Sequence, residues 1–423
     1  MGTRLICSTA GDKMYSVFVA HLPAPTTEAL KDGLRRGLAA LGRSLPQGRR
    51  IFVQPACPWA HPRFAPYAFT SLQFMDAIYD VFQGNTLQFG TNALPGFPAR
   101  YGFQQAGYAR WARRRKTALL PLDEVTYIPD ADGIRWPHPV VESDLLIALP
   151  KLSGSGFLGL AGAMRHHMFL LSPQDHLSAY PDLPEKMLRW STVRPPDLIV
   201  MDAVHVTHRG GEVSGEPLGL SLLIMGTNML AVDMIAALAY GWDPMDLPWL
   251  RTAALRGLGP SSLSMIRLTG DLSIEDLRQI GQRVIHPDPA PERYPWPSQI
   301  RIYRSEKEPL WNIPGSLMET IWILEHGKIP LSRSREAAII IGSVGELGRP
   351  RTDTAAAILL GDTARADYRG YSRIVRFPGS HVPVARLLLD LPYVLRIASM
   401  RSELGLAFLW ASIVRSWRNR IRP

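Results

Sequence analysis

A series of short apolar runs, each closed by proline, glycine or a polar residue, constrains this chain more than any other feature. They include "IFVQP" (51–55), "LLIALP" (145–150), "LIVMDAV" (198–204), "LSLLIMG" (220–226), "AAIIIG" (337–342) and "AAAILLG" (355–361). Runs of this length suit buried strands, and their ends carry the turn formers that stop strands. Helical spacing lies between several of them. "SLQFMDAIYDVF" places Leu72, Met75, Ile78 and Tyr79 on one face, and "FQQAGYARWARRRK" (103–116) has the pattern of one amphipathic helix. "NTLQFG" and "TALLPLDEV" read as further strands. Strands alternating with helices predict an α/β fold with a mainly parallel sheet and flanking helices.

The Pro-rich stretch "HPDPAPERYPWP" (286–297) divides the chain. The expected organisation is a main α/β domain over 1–285, a smaller α/β part over 286–380 and a basic helical tail over 381–423. In the smaller part, the two Ala/Ile/Leu runs are expected to end at their glycines. In the tail, helices are expected to break at Pro392 and around Gly405. Leu387, Leu388, Leu391, Val394 and Leu395, then Leu406, Leu409, Trp410, Ile413 and Trp417, form apolar faces among arginines at 396, 401, 415, 418, 420 and 422. Such a tail either packs on the core or contacts an anionic membrane surface or a protein partner.

Of 423 residues, 46% are hydrophobic and 20% charged, so the chain can bury a sizeable core. Its two cysteines, Cys7 and Cys57, exclude a disulfide framework and any all-thiolate zinc or iron–sulfur site within one chain. No signal peptide is read in the first residues, and no run of apolar residues is long enough to span a bilayer. A cytoplasmic protein, or one peripheral to the inner face of the membrane, is the expectation. A formal charge of +10 favours anionic partners. Nucleic acid ranks last among them, because the basic runs have few interleaved aromatics.

"SDLLIALPKL", "DLIVMDAV" and "GEPLGLSLLIMGTNMLAVDMIAALAYGWDP" follow one another in an order and spacing that resemble the prokaryotic domain of unknown function 362. "IFVQP" and "GYARWARRRKTALLPLDE" resemble that family's opening strand and its Gly-helix-strand step. The resemblance covers roughly residues 49–272. It implies an α/β fold with a cleft and a family habit of association with iron–sulfur proteins, but no single reaction. This chain departs from the pattern at Gln54, where the family carries lysine, and at Arg165-His166, where relatives have Lys-Asn. Thr363 and Ser380 stand where the family has cysteines. No iron–sulfur cluster is expected here.

Several residues can carry chemistry. Asp233 lies in the otherwise apolar helix pattern "NMLAVDMIAALAY". A buried carboxylate must be protonated, paired or bound to a cation. Two readings stand for Asp233: it accepts backbone N–H groups from a neighbouring loop, or it belongs to a cleft that binds metal or substrate. Asn228 or Thr227 is the expected cap of that helix, beside an N-terminus that favours anions. Asp202 ends an apolar run and is followed by His205, His208, Glu212 and Glu216, a set suited to a divalent metal or to acid–base work. Lys151 follows Pro150 at another strand end, where it could hold phosphate or carboxylate. Arg165 and the adjacent His166 and His167 fall in a helix. Neighbouring helical positions point about 100° apart, so the two histidines do not easily share one metal. Asp362 and His381 are weaker strand-end candidates.

The functional expectation is an enzyme acting on a small anionic substrate in a strand-end cleft. Lys151, Asp202 and Asp233 are its catalytic candidates. Lys151, Arg165, Glu216 and Asn228 would hold substrate, and Asp202, His205, His208 and Asp233 would form a place for one divalent metal. The alternative is a non-catalytic protein that docks through its basic tail.

Overall fold

The computed structural model describes residues 14–398 apart from 132 and 157, together with 404–406, 408–410, 413 and 414. Cys7, Arg401, Trp417 and the terminal arginines from 415 onward lie outside the described residues. The strands are β1 (Tyr15–His21), β2 (Arg50–Pro55), β3 (Thr86–Thr91), β4 (Ala118–Pro121), β5 (Tyr127–Pro129), β6 (Arg135–Pro137), β7 (Leu145–Leu149) and β8 (Lys151–Ser155). They continue with β9 (Gly159–Ala161), β10 (Leu198–His208), β11 (Glu216–Gly226), β12 (Ile266–Gly270), β13 (Ile300–Arg304), β14 (Ala337–Glu346), β15 (Ala356–Asp367) and β16 (Arg373–Phe377).

The main sheet has the order β12-β1-β11-β10-β7-β2-β3-β4, with β8 added to β10 and β9 to β8. Along that main order every strand runs the same way except β11, which is antiparallel to both neighbours. The reason is the short connection from β10 to β11. Residues 209–215 can close a hairpin but cannot supply the crossover that a parallel neighbour needs. Pro150 interrupts the run "LLIALPKL". It has no N–H for the ladder, and its carbonyl instead accepts the Asp202 N–H at 2.8 Å. The chain therefore leaves β7 and re-enters as β8, with Lys151 opposite Asp202.

The smaller sheet is fully parallel, in the order β13-β14-β15-β16. β14 and β15 do not stop at their glycines. Both run on through Gly342 and Gly361, at φ of 74° and 89°, with register shifts close to these residues. Glycine takes that left-handed conformation without strain, so the strands bend there and continue. The expected single helix over 103–116 is two, Ala99–Gln105 and Tyr108–Arg115, divided at Gly107 (φ 80°).

One hydrophobic core joins the two sheets. Phe52 and its neighbours face one layer, while Val53, Phe89 and Leu149 share a cluster with Leu317, Ile339, Ile358 and Leu388. The first part of the expected tail belongs to this core. Helix Val384–Leu395 buries Leu387, Leu388, Leu391 and Leu395 against helix Ile313–His326, and Pro392 lies inside it rather than ending it. No helix among the described residues is long and apolar enough to cross a membrane.

Candidate functional site

The carboxyl ends of β2, β7 and β8 point to one edge of the main sheet, the edge at which open α/β sheets take ligands. Lys151 opens β8 there, and its Nζ lies 3.0 Å from Asp202 Oδ2. Both side chains are buried, Asp202 completely. The same Asp202 oxygen accepts the Ser71 N–H at 3.1 Å, and its other oxygen accepts from Val204 N at 3.2 Å. A buried carboxylate with one ammonium and two amide donors is well matched, so the pair persists without water.

Two loops close over this pair, and each is fixed by a buried acid. The first is the turn from Gly162 into the short helix Ala163–His167. Asp233 accepts the Ala163 and Met164 N–H groups at 2.6 and 2.9 Å. A Cβ at Gly162 would fall on the Asp233 carboxylate, which is why glycine stands there. The second is the hairpin turn between β10 and β11. Glu319, from helix Ile313–His326 of the smaller part, accepts the Val213 and Ser214 N–H groups at 3.1 and 3.0 Å. A Cβ at Gly211 would collide with the Glu319 carboxylate. Burial pushes both acids up, each to about 7, against the opposing pull of their backbone donors.

The pinned loops bring further groups together. Arg165, fully buried, reaches across to Glu212 at 3.3 Å and so ties the first loop to the second. Its guanidinium also meets His176 Nε2 at 2.9 Å and Tyr180 Oη at 3.1 Å, and it lies over the Phe169 ring. Burial raises the Glu212 carboxyl, with Arg165 pulling it back down. His166 bonds the Gln54 carbonyl at 3.0 Å, and Gln54 Nε2 returns a bond to the His166 carbonyl at 2.9 Å. Burial lowers His166 to about 3, so its imidazole is neutral. Lys151, Ser153, His166 and Glu212 line one small cavity of about 10 Å³, room for about one water. Beside it His381 stacks on Tyr180 with ring centroids 3.9 Å apart and bonds Asn312.

Lys151, Asp202 and Arg165 therefore stand in one neighbourhood. Asp233 supports it from behind with both oxygens committed to backbone donors, and it does not line the cavity. Asn228 is placed elsewhere. Because β11 is antiparallel, its carboxyl end pairs near Ile199 at the opposite edge, and Asn228 there caps helix Met229–Ala239 through Ala231 N and bonds Leu258 O. Glu216 is exposed beside Arg209 on the hairpin.

The four expected metal ligands are not brought together. Asp202 and His208 are six residues apart on one strand, on the order of 20 Å. His205 is exposed, and the oxygens of Asp202 and Asp233 are already bound. Among the described residues no group of three or more His, Cys, Asp or Glu side chains is placed to hold a metal ion. His166 and His167 diverge as adjacent helical positions must, His167 bonding Val193 O. Asp362 is exposed and accepts from Gly379 N, so it is a turn residue.

Residues 51–238 match the model of the Domain of unknown function (DUF362). The matched span runs from β2 to the end of the Asp233 helix and contains Lys151, Arg165, His166, Asp202, Glu212 and Asp233, whereas Glu319 comes from outside it. Among solved structures, the chain is similar to the lactate racemase apoprotein from Thermoanaerobacterium thermosaccharolyticum, at 12% identity and a TM-score of 0.33, over 54% of this chain and 59% of that one. It is also similar to a protein from Thermotoga maritima, at 13% identity and a TM-score of 0.30, over 52% of this chain and 57% of that one. The matches span less than two thirds of either structure. No curated protein matches the chain.

Glu319, Tyr180 and Ser153 were not legible as site residues. Glu319 did carry a signal: it is an acid inside the apolar pattern "IPGSLMETIWIL", the same anomaly that singles out Asp233.

Proposed function

We propose that this chain is an enzyme that moves protons on a small anionic substrate at the carboxyl edge of the main sheet. The observation that carries the reading is the buried Lys151–Asp202 pair, its ammonium lining a cavity with Ser153, His166 and Glu212 under two loops that buried acids hold in place. Structure spent on fixing loops around a polar cluster is the preorganisation that acid–base catalysis requires.

The charges decide how an anion could be held. Lys151 and Arg165 are each matched by a carboxylate. Glu212 is the partner whose charge is easier to remove, because burial favours its neutral form. When Glu212 takes a proton, Arg165 and Lys151 exceed the remaining negative charge and a substrate carboxylate or phosphate can replace it. The cavity holds about one water, so entry requires the Gly210–Gly211 turn or the Gly162 turn to yield.

Incubation of the purified protein with a defined library of hydroxy, keto, amino and phosphorylated acids, followed by mass spectrometry, tests this. One class should be converted, and Lys151→Met and Asp202→Asn proteins that remain folded should lose conversion. Conversion unchanged in both variants would sink the proposal.

A second reading has one observation in its favour. Leu404 and Phe408 pack inward, Phe408 against Phe97 and Tyr101, while Leu406, Leu409, Trp410 and Ile413 stand exposed at helical spacing. That stripe, followed in sequence by four arginines at 415, 418, 420 and 422, suits an anionic membrane surface. Sedimentation with phosphatidylglycerol vesicles, lost when residues 404–423 are removed and absent with phosphatidylcholine, would support it. Equal sedimentation with both lipids would count against it.

A further inference from the structure

A second cavity lies beyond the tip of β8 and shares no lining residue with the Lys151 cavity. Its volume is about 500 Å³, which is the size of a small-molecule site. Its walls are aromatic and apolar, built mainly from Trp242, Trp249, Trp311, Leu188, Leu247 and Pro248. Trp249 is held by its Nε1–H, which donates to Leu158 O at 2.9 Å. Trp242 lies against the His286 ring, centroids 4.2 Å apart and planes tilted by 35°. The wall is therefore fixed before any ligand arrives.

Two features describe the ligand. The first is the aromatic wall, whose flat faces suit a flat ring. The second feature is charge. The charged side chains at the cavity are Glu185 and Asp246, and no lysine or arginine among the described residues lines it. Glu185 is matched by Arg256 at 2.8 Å, while Asp246 is exposed at the rim. The local field thus opposes an anion, in contrast with the Lys151 site.

We propose that this cavity binds a flat aromatic small molecule that carries no negative charge. Its ring lies against the tryptophan wall. This proposal stands apart from the catalytic reading, because it uses different residues and a ligand of different charge.

Two dyes test it directly. N-phenyl-1-naphthylamine is a neutral aromatic amine, and 8-anilinonaphthalene-1-sulfonate is the same ring system with an added sulfonate. Fluorescence titration of the full chain should show one saturable site for the neutral dye and at least tenfold weaker binding of the sulfonate. Thr252→Trp, which fills the cavity from a half-buried wall position, and Trp311→Leu should each weaken the neutral dye at least tenfold, with circular dichroism unchanged. Asp246→Lys, a surface change that leaves folding intact, should narrow the gap between the dyes at least threefold. The proposal is overturned if the neutral dye shows no saturable site, if the sulfonate binds as tightly, or if Asp246→Lys leaves the dye ratio unchanged.

Discussion

Replacing Asp233 with asparagine should change stability in a way that depends on pH, and the size of the effect follows from the structure. Burial raises the carboxyl from its ordinary 3.8 to about 7 in the folded chain. Between those values the folded state holds a proton that the unfolded state has released. Folding then becomes less favourable as pH rises, by about 1.4 kcal/mol for each pH unit. Across roughly three units Asp233 costs the folded protein about 4 kcal/mol by pH 8, relative to pH below 4. Asparagine does not titrate. It keeps one oxygen for the Ala163 or Met164 N–H and turns an NH₂ toward the other, which leaves that N–H and the NH₂ both without an acceptor, at about 1–3 kcal/mol each. Asp233→Asn should therefore be less stable than wild type at pH 4.5. By pH 8 that deficit should have shrunk by about 3 kcal/mol. Guanidinium unfolding followed by tryptophan fluorescence at both pH values measures this, and titration of Glu319 cancels in the comparison. A deficit that grows with pH would refute the reasoning, because it would mean that the two backbone donors outweigh burial and keep the carboxylate charged.

Other consequences are equally specific. Lys151→Met should cost about 3–5 kcal/mol by leaving Asp202 charged and short of its cation. Adding Asp202→Asn, which removes the unpaired charge but keeps an oxygen for only one of the Ser71 and Val204 N–H groups, should recover part of that loss in denaturant midpoint. Glu319→Ala should speed hydrogen exchange at Val213 and Ser214, whose N–H groups it releases, while the Ala163 and Met164 amides stay protected by Asp233. Gly107→Ala should lower stability by about 1–2 kcal/mol, since a Cβ is disfavoured at φ 80° where the two helices divide. Its melting temperature should fall, and its dye binding at the tryptophan cavity should not change.

The short apolar runs did forecast an α/β fold, because hydrophobic run length and turn residues report local structure directly. Strand direction is a different kind of information. The seven residues between β10 and β11 signal a hairpin, yet the neighbouring strand-helix pattern suggests a parallel unit, and Asn228 was assigned to the wrong edge for that reason. Lys151 and Asp202 were readable singly as polar residues ending apolar runs, whereas their pairing depends on Pro150 shifting the chain from β7 to β8. Asp233 shows how an anomaly can be seen and still be ambiguous: periodicity marks an acid in an apolar helix, but only packing shows that both oxygens go to a turn 70 residues away. His205, His208 and Glu216 looked like a ligand set because they are close in sequence; the extended hairpin does pair His208 with Glu216, but it leaves His205 three residues along the strand and exposed. The leucines of 387–395 and the stripe of 406–413 look alike in sequence. The first faces helix Ile313–His326, and the second faces outward.

The account rests on the Lys151–Asp202 pair being the reactive centre rather than a structural tie. Turnover by the Lys151→Met/Asp202→Asn double variant, measured on the acid that the wild-type protein converts, separates the two. Charge is removed while the fold is kept, so the account predicts a cooperatively folded protein, by circular dichroism and denaturation, with a rate reduced by about 100-fold or more. A folded double variant that turns over at close to the wild-type rate would contradict it.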